Sequence, residues 1–285
     1  MRSLTIFFIF AISIFCKFDC NAKSPSKMRI ATFNIRLDTP VDGIYTWSLR
    51  KDSVCQFMQK NNLAIFGLQE VKHNQLIDLQ QCMSNYTSVG VGRDDGKEGG
   101  EYSPVFYDRR RFDMLESNTF WLSTTPDVAG SKGWDAAFPR VVTWVKLKDK
   151  NTRKMLFVFN THFDHLGVEA RKNSALLIHQ KVAEIADNEA VVIMGDFNST
   201  VHDDAFQTMI ATKTGFVDAR QKAKTKVGES WSFHGFGQVK LADRELIDFI
   251  FVNRKIQVLR HEIPYIEYDG RYLSDHNPVI ADVSY

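Results

Sequence analysis

Hydrophobic residues follow two different spacings along this chain, and segments of the two kinds alternate. Apolar residues at helical spacing predict helices over Trp47–Gln59, Asn74–Met83 and Val168–Ile185. Short apolar runs rich in Val, Ile and Phe predict buried strands over Arg29–Asn34, Leu63–Glu70, Tyr86–Gly90, Met155–His162, Val191–Met194, Leu246–Val252 and Pro278–Val283. Further short β-rich runs lie within residues 103–122 and 138–148, and the charged, glycine-rich segment Gly92–Glu101 predicts a loop.

The same alternation predicts the class of fold. No internal repeat, low-complexity tract or Pro/Ser-rich linker divides residues 23–285, which favours one domain. Strands interleaved with helices, together with stretches of consecutive strands, predict an α/β fold in which two packed mixed β-sheets are flanked by outer helices. A chain of 285 residues is long enough to bury a large core of this kind.

The stretch Val191–Asn198 combines a short apolar run with polar residues directly after it. Because side chains alternate along extended backbone, Asp196 and Asn198 are expected to emerge on the same side at the end of the strand. Open α/β sheets bind their ligands at the carboxyl ends of strands. A strand that merely ends in an Asx-turn is the structural alternative, since Asp and Asn favour such turns.

Polar residues end the other predicted strands as well, and the repetition predicts a site. The positions concerned are Asn34, Glu70, His162 with Asp164, Asp196 with Asn198, Asp248, and the segment Ser274–His276. One polar strand end is unremarkable, but six in one domain imply that these ends converge on a common cleft.

The overall charge adds only a weak constraint. A formal net charge of +2 and a pI near 8.3 indicate no strong basic footprint, whereas a dedicated nucleic-acid-binding protein usually carries one. A single local basic patch would still be enough to bind nucleic acid, so nucleic acid stays open as a substrate.

The first residues have the pattern of a secretory signal peptide. Arg2 precedes the apolar run Leu4–Phe15, which is too short to span a membrane. Cys20–Ala22 provides small residues before a cleavage point, so we expect residues 1–22 to be removed and Lys23 to begin the mature chain. We therefore predict a secreted or periplasmic protein without a membrane span in its mature chain. An uncleaved or lipid anchor is the alternative.

Two cysteines, Cys55 and Cys82, remain after such a cleavage. They could form one disulfide in an oxidising compartment. Both lie in segments with a helical pattern, however, where small buried thiols are common, and we therefore expect them to be unpaired. Cysteine and histidine residues show no spacing typical of a zinc site.

Six ordered motifs together resemble the endonuclease/exonuclease/phosphatase superfamily, which includes deoxyribonuclease I, exonuclease III, inositol polyphosphate 5-phosphatases and neutral sphingomyelinases. The motifs are Thr32–Arg36, Leu68–Val71, Asn160–His165, Gly195–Asn198, Ile247–Phe251 and Ser274–Val279. Each is weak alone, whereas the ordered set, which spans about residues 28–285, is specific. The Thr-His-Phe-Asp-His pattern is most similar to a branch of secreted bacterial members. The resemblance implies a four-layer α/β sandwich and a divalent-cation phosphoesterase.

The resemblance implies a metal site at Asn34, Glu70 and Asp275, with Glu70 as the principal ligand. Mg²⁺ prefers oxygen ligands and retains several waters, which suits carboxylates without thiolates. We therefore expect Mg²⁺ or Mn²⁺ as the cofactor, rather than Zn²⁺. The structural alternative for Glu70 is a cap on the helix that follows it.

Five further residues are implied to be catalytic. By matching motif, Asp196 and Asn198 would orient or activate the attacking water and contact the phosphate. Asp248 and His276 would form a carboxylate–imidazole pair, in which the carboxylate fixes the tautomer of the imidazole and stabilises its charged form. His162 would donate a hydrogen bond to a phosphate oxygen, although a hydrogen-bonded core histidine is the structural alternative.

Candidates for phosphate binding or for support of these residues are Arg36, Asp164, Arg140 and Arg171. Guanidinium groups bind anions in a bidentate manner. Arg171 lies in the predicted helix Val168–Ile185, where an arginine is more often a solvated salt-bridge partner, so Arg36 is the stronger candidate. Asp164 could support catalysis or simply form a turn.

Three functional hypotheses follow from the sequence. The first is a secreted, monomeric, Mg²⁺-dependent phosphoesterase that hydrolyses a small organic phosphate, such as a sugar or lipid phosphate. The second is an extracellular nuclease that cleaves phosphodiesters, which the fold permits. The third is a catalytically inactive binding module on the same fold. The residues around Glu101–Tyr102 and Ser230–Phe236 predict rim loops whose aromatic rings could stack on a base or a sugar, or merely pack.

Overall fold

A computed structural model describes residues 27–268 and 270–285 of the chain. Within these residues the helices are α1 (Trp47–Lys60), α2 (His73–Cys82), α3 (Val168–Ala186), α4 (Asp204–Met209) and α5 (Ala219–Lys222). The strands are β1 (Lys27–Asn34), β2 (Ile65–Gln69), β3 (Tyr86–Val89), β4 (Val105–Asp108), β5 (Phe112–Trp121), β6 (Val141–Asp149), β7 (Met155–His162), β8 (Ala190–Asp196), β9 (Phe216–Asp218), β10 (Thr225–Gly228), β11 (Asp248–Asn253), β12 (Gln257–Ile263), β13 (Glu267–Tyr268), β14 (Arg271–Tyr272) and β15 (Val279–Ser284). The predicted leader, residues 1–22, lies outside the described residues.

Two large mixed sheets form the centre of the fold. Sheet A has seven strands in the order β10-β12-β15-β1-β2-β4-β3, and sheet B has six in the order β5-β6-β7-β8-β11-β9. Strand β1 runs parallel to β2 and antiparallel to β15, while β7 runs parallel to β8. The predicted α/β architecture of two packed mixed sheets flanked by helices is therefore confirmed.

Strand β8 shows how the sequence produces four layers. Val192 and Met194 belong to the hydrophobic core between the two sheets, whereas Val191 and Ile193 belong to the core that contains Ile178 of α3. Successive side chains of a strand point to opposite faces, and both faces of β8 are covered. A continuous apolar run is the sequence pattern that such a strand requires. Helix α1 covers the outer face of sheet A in the same way.

The register of the strands brings the polar strand ends to one edge. Asn34 pairs with Gln69 at the ends of the parallel strands β1 and β2, and His162 pairs with Asp196 at the ends of β7 and β8. Asp248, the first residue of the antiparallel strand β11, also pairs with Asp196. Three predicted site residues of sheet B are thus neighbours by strand pairing alone.

Polar groups join the two sheets directly below this edge. The Asn160 side chain in sheet B donates hydrogen bonds to the backbone carbonyls of Leu68 and Pro104, at 2.8 and 2.9 Å. Its Oδ1 accepts a hydrogen bond from Nε2 of Gln69 in sheet A at 2.7 Å. These bonds satisfy buried groups of both sheets, and they fix the position of one sheet relative to the other.

The expectation that Cys55 and Cys82 are unpaired is wrong. The two residues form a disulfide that joins α1 to α2, with their Cα atoms 6.2 Å apart. The helical pattern correctly predicts both helices and the burial of Cys55, but such a pattern contains no information about how two helices face each other. Within the described residues, no helix is long and apolar enough to span a membrane.

Candidate active site

A buried group of two carboxylates and one imidazole lies at the common edge of the strands. His276 Nδ1 donates a hydrogen bond to Asp248 Oδ2 at 2.8 Å, and His276 Nε2 lies 3.9 Å from Asp196 Oδ2. Burial alone would lower the pKa of His276, but the charge and hydrogen bond of Asp248 outweigh it and raise this pKa to about 10. Burial and the nearby Asp248 charge raise the pKa of Asp196 to about 7. The site therefore combines a stabilised imidazolium with a carboxylate that can exchange a proton near neutral pH.

The side chain of Asn198 is brought to this group by a turn that follows Asp196, and not by a continuation of strand β8. Strand β8 ends at Asp196, and Asn198 has a left-handed backbone with a φ of 45°. Asp196 Oδ1 accepts a hydrogen bond from the backbone N–H of Asn198 at 2.9 Å, which is the predicted alternative of an Asx-turn. The assumption of extended backbone through Asn198 is wrong, yet its side chain still faces the site, because Nδ2 donates to His162 Nε2 at 3.1 Å.

Asn34 connects the two sheets at the site. Its Nδ2 donates hydrogen bonds to Glu70 Oε1 at 3.0 Å and to Asp196 Oδ2 at 2.9 Å. Glu70 Oε2 in turn accepts a hydrogen bond from the backbone N–H of Leu37 at 3.1 Å. Burial raises the pKa of Glu70, but the bond from Asn34 and the positive charge of His276 outweigh it and hold this pKa below its usual value. Helix α2 is capped at Lys72, so Glu70 does not serve as a helix cap.

Arg36 and Asp275 lie beside Glu70. Arg36 Nη1 is 3.8 Å from Glu70 Oε2 and 3.9 Å from Asp275 Oδ2, and Arg36 Nε is 3.1 Å from Asp42 Oδ2. The Arg36 side chain is 27% exposed, whereas those of Glu70 and Asp275 are 12% and 11% exposed. Solvent therefore reaches the site on the side of these two carboxylates, while Asp248 on the other side is fully covered.

His162 is buried between the main group and a second ion pair. Its Nε2 is 3.5 Å from Asp196 Oδ2, and its Nδ1 is 3.9 Å from Glu101 Oε2. Glu101 Oε2 also accepts a hydrogen bond from Arg93 Nη1 at 2.7 Å. Burial and the positive charge of Arg140 hold the pKa of His162 well below its usual value, so this imidazole is neutral.

Arg93 is a site residue that the sequence did not reveal, and Glu101 was expected only in a rim loop. Both lie in the glycine-rich loop between β3 and β4, where no periodic pattern predicts which side chains turn inward. The one available signal is the pair of opposite charges at the two ends of that loop. Both side chains are largely buried, with 9% and 13% exposed.

The remaining predicted residues support the loop that follows β7. Asp164 accepts hydrogen bonds from the backbone N–H groups of Gly167 and Leu166 and lies 3.3 Å from Arg140 Nε. Burial raises the pKa of Asp164, but these backbone bonds outweigh it and hold the pKa far below its usual range. Arg171 Nη1 donates to the backbone carbonyl of Asp164 at 3.1 Å. Asp164 therefore serves as a turn former that also fixes two arginines.

Three residues of the site have left-handed backbone conformations that are rare for residues other than glycine. The φ values are 59° for Arg36, 61° for Glu70 and 45° for Asn198. Each conformation costs about 1–3 kcal/mol, and such residues concentrate at functional sites, where the surrounding structure holds them. The hydrogen bonds of Asn34 to Glu70 and of Asn198 to His162 are examples of that support.

Two groups of side chains could hold a cation. The first is Glu70 with Asp275 and Asn34, as the sequence predicted. The second is Asp196, Asp248 and His276, whose ligand atoms all lie within 4.8 Å of one another. His276 donates its Nδ1 proton to Asp248 and carries a positive charge across neutral pH, and an imidazolium repels a cation instead of binding it. The carboxylates of the first group fit a divalent ion better.

The electrostatics of Asp275 also favour the group of Glu70, Asp275 and Asn34 as the cation site. Burial and the negative charge of Glu70 raise the pKa of Asp275. A divalent cation between Glu70 and Asp275 would offset this unfavourable charge, and the oxygen donors of both side chains suit Mg²⁺ or Mn²⁺.

The chain is similar to proteins of one family over most of its length. The model of the Endonuclease/Exonuclease/phosphatase family matches residues 31–276. The crystal structure of an endonuclease/exonuclease/phosphatase from Bacteroides vulgatus is 47% identical to this chain, has a TM-score of 0.89 and covers 90% of this chain and 98% of its own. The structure of a mannosyl-6-phosphatase from Bacteroides thetaiotaomicron is 33% identical, has a TM-score of 0.85 and covers 90% of this chain and 100% of its own. An uncharacterized protein of Acanthamoeba polyphaga mimivirus is 26% identical over 274 residues, which is 89% of this chain and 98% of that protein.

Proposed function

Because the chain belongs to the endonuclease/exonuclease/phosphatase family, we propose that it is a divalent-metal-dependent phosphatase that hydrolyses the phosphate monoester of a sugar. The observation that carries this proposal is the buried group of Asn34, Asp196, Asp248 and His276 next to Glu70, in which every polar side chain contacts another. The 33% identity to a mannosyl-6-phosphatase over nearly the whole chain supports a sugar phosphate as the substrate.

Asp196 is suited to accept a proton from the attacking water. Its carboxylate lies within reach of Asn34 and His162, and its pKa of about 7 matches the pH at which a general base works best. The amide of Asn198 is oriented by its hydrogen bond to the backbone carbonyl of Phe163 at 3.0 Å. We assign Asn198 to hold the water and a phosphate oxygen beside Asp196.

His276 is suited to stabilise charge on the phosphate. The Asp248 carboxylate keeps the imidazole protonated and oriented, and Asp248 is itself fixed because it begins strand β11. Fixed positive groups that face a developing negative charge make a large contribution to phosphoryl transfer. We assign His276 to this role, with His162 as a second group that contacts the phosphate.

A divalent cation fits the Glu70–Asp275 side of the site. Glu70, Asp275 and Asn34 would hold it, and a bound Mg²⁺ or Mn²⁺ would neutralise the charge of the phosphate. Arg36 lies within 4 Å of both carboxylates and is the most exposed member of the group. We assign it to meet the phosphate as the substrate enters.

The charge of the surrounding loops favours a small monoester over a nucleic acid. The loops at the strand ends of this edge include residues 35–46, 90–104, 122–140, 163–167, 197–203 and 229–247. In each of them Asp and Glu equal or outnumber Lys and Arg. Proteins that bind nucleic acids obtain most of their affinity from cationic side chains along the phosphate backbone. A long polyanion would be repelled by this rim, whereas one phosphate group would reach the cations inside.

We also propose that the protein acts outside the cytoplasm. The apolar segment Leu4–Phe15 behind Arg2 has the pattern of a signal peptide. The disulfide between Cys55 and Cys82 supports the same conclusion, since disulfides persist in oxidising compartments.

Release of inorganic phosphate by the purified protein tests the function. We expect turnover of mannose 6-phosphate and glycerol 3-phosphate in Mg²⁺ or Mn²⁺, loss of turnover in EDTA, and poor restoration by Zn²⁺. Faster cleavage of a single-stranded DNA oligonucleotide, or of sphingomyelin in vesicles, would show that the substrate is not a sugar phosphate but belongs to the class that is cleaved faster. Full turnover of the chelated protein would contradict the metal assignment, and no turnover of any of these compounds would favour a binding module.

A further inference from the structure

One aromatic ring beside the site is both exposed and rigidly held. Phe138 lies in the loop between β5 and β6, and 47% of its surface is exposed to solvent. A single exposed ring is common on a protein surface, so the significance of Phe138 depends on where it lies and on what holds it.

The position of Phe138 is fixed from three directions. Its backbone N–H donates to Asp164 Oδ2 at 3.2 Å. The guanidinium carbon of Arg93 lies 5.1 Å from the centroid of its ring. The ring of His165 is stacked on it, with centroids 5.8 Å apart and an angle of 18° between the planes. A side chain whose orientation is set in this way loses little entropy when a ligand packs against it.

The residues that hold Phe138 belong to the active site. Arg93 forms the ion pair with Glu101, and Glu101 lies 3.9 Å from His162. Asp164 and His165 lie two and three residues after His162, the last residue of strand β7. The phenyl ring is therefore linked to His162 through two intervening side chains, those of Arg93 and Glu101.

We propose that Phe138 determines substrate specificity by packing against the C–H face of the pyranose ring of a sugar phosphate. A pyranose has an apolar C–H face and an edge of hydroxyl groups. The phenyl ring offers the matching apolar surface, and Glu101, with 13% of its side chain exposed, offers an acceptor for a hydroxyl group. This inference rests on the proposed function and adds the residue that selects the sugar.

Replacement of the ring tests the proposal with two phosphomonoesters, mannose 6-phosphate and glycerol 3-phosphate. Only the first has a sugar ring. For Phe138→Ala we expect KM for mannose 6-phosphate to rise about tenfold, with kcat nearly unchanged, because the contact is equally present in the ground state and the transition state. The constants for glycerol 3-phosphate should stay within about twofold. Phe138→Trp, which retains an aromatic surface, should keep the wild-type KM.

Trp134→Ala provides the matched control. Trp134 is an aromatic residue of the same loop and is 39% exposed, but it lines a different pocket, together with Leu177 and Lys181 of α3. Its loss should change neither KM.

Three results would overturn the proposal. Equal losses of kcat on both substrates would mean that Phe138 only supports Arg93 and His165. Unchanged constants on both would mean that the ring contacts no substrate. A larger effect on adenosine monophosphate than on mannose 6-phosphate would make a base, and not a sugar, its partner. If the wild-type protein hydrolyses none of these esters, the proposed function itself fails.

Discussion

Asp248 depends on a single side-chain partner. Its Oδ2 accepts a hydrogen bond from His276 Nδ1, while its buried Oδ1 has no hydrogen-bond partner among the described residues. The charge of this carboxylate is what raises the pKa of His276, so the two residues form one functional pair. The Asp248→Asn substitution removes the negative charge of this side chain but keeps its shape, so it distinguishes the effect of the charge on His276 from that of packing.

For Asp248→Asn we expect a loss of ~10²–10⁴-fold in kcat, because an amide can orient the imidazole but cannot stabilise its positive charge. The thermal unfolding midpoint should change by only a few degrees. Steady-state kinetics on material shown to be folded by circular dichroism measures both. A kcat within about twofold of the wild-type value would show that the pair has only a structural role.

The site residues at strand ends can be predicted from the sequence, because a polar residue directly after an apolar run stands out from the hydrophobic pattern of the strand. Asn34, Glu70, Asp196 and Asp248 are examples, and the structure brings all four into one network. Arg93 was not predictable, since it lies in a loop without periodicity. The strand pattern predicts extended backbone at Asn198, but the Asx-turn formed by Asp196 gives Asn198 a left-handed conformation instead.

At the scale of elements, helices α1 and α2 fix the loop that carries Arg36. Arg50 of α1 donates a hydrogen bond to the backbone carbonyl of Ile35 at 2.8 Å. Gln75 of α2 donates to the backbone carbonyl of Arg36 at 2.9 Å and accepts from the N–H of Asp38. The helical pattern predicted both helices almost to the residue. The disulfide between them depends on how the two helices pack against each other. The hydrophobic periodicity of a single helix does not predict that packing.

Removal of that connection should lower stability. The disulfide closes a loop with a sequence separation of 27, for which chain entropy gives a stabilisation of about 3–4 kcal/mol. The double variant Cys55→Ser/Cys82→Ser should therefore lose about that much free energy of unfolding in urea. Reductant should lower the stability of the wild-type protein equally and leave the variant unaffected. A reductant-insensitive wild-type protein with the stability of the variant would contradict the pairing.

At the scale of the whole molecule, the two sheets lie in close contact below the site, at Gly67 of β2. A Cβ atom on Gly67 of β2 would lie 2.4 Å from Asn160 Oδ1 and 3.0 Å from Met194 Sδ, both in sheet B. Contacts this short force neighbouring groups to move. The overall layers were predictable from apolar runs that require cover on both faces. The sheet order and the separation of the sheets were not, because they depend on contacts between residues far apart in sequence.

For Gly67→Ala we expect a loss of about 1–3 kcal/mol in the free energy of unfolding, the usual effect of an extra methyl group in a packed core. The methyl group would displace Asn160 and break its bonds between the sheets. Urea unfolding followed by fluorescence provides the measurement. A variant as stable as the wild-type protein would show that the sheets separate more easily than the contacts around Asn160 indicate.

Asp196 is the residue that we assign to proton transfer at the edge where the sheets meet. The most direct test compares kcat for mannose 6-phosphate in Mg²⁺ between Asp196→Asn and Asp218→Asn. Both aspartates are buried in sheet B and have raised pKa values, about 7 and about 6, but only Asp196 contacts Asn34 and His162. We predict a loss of ~10²–10⁴-fold for Asp196→Asn, with KM little changed, and near wild-type kcat for Asp218→Asn. Equal turnover by both folded variants would contradict the account.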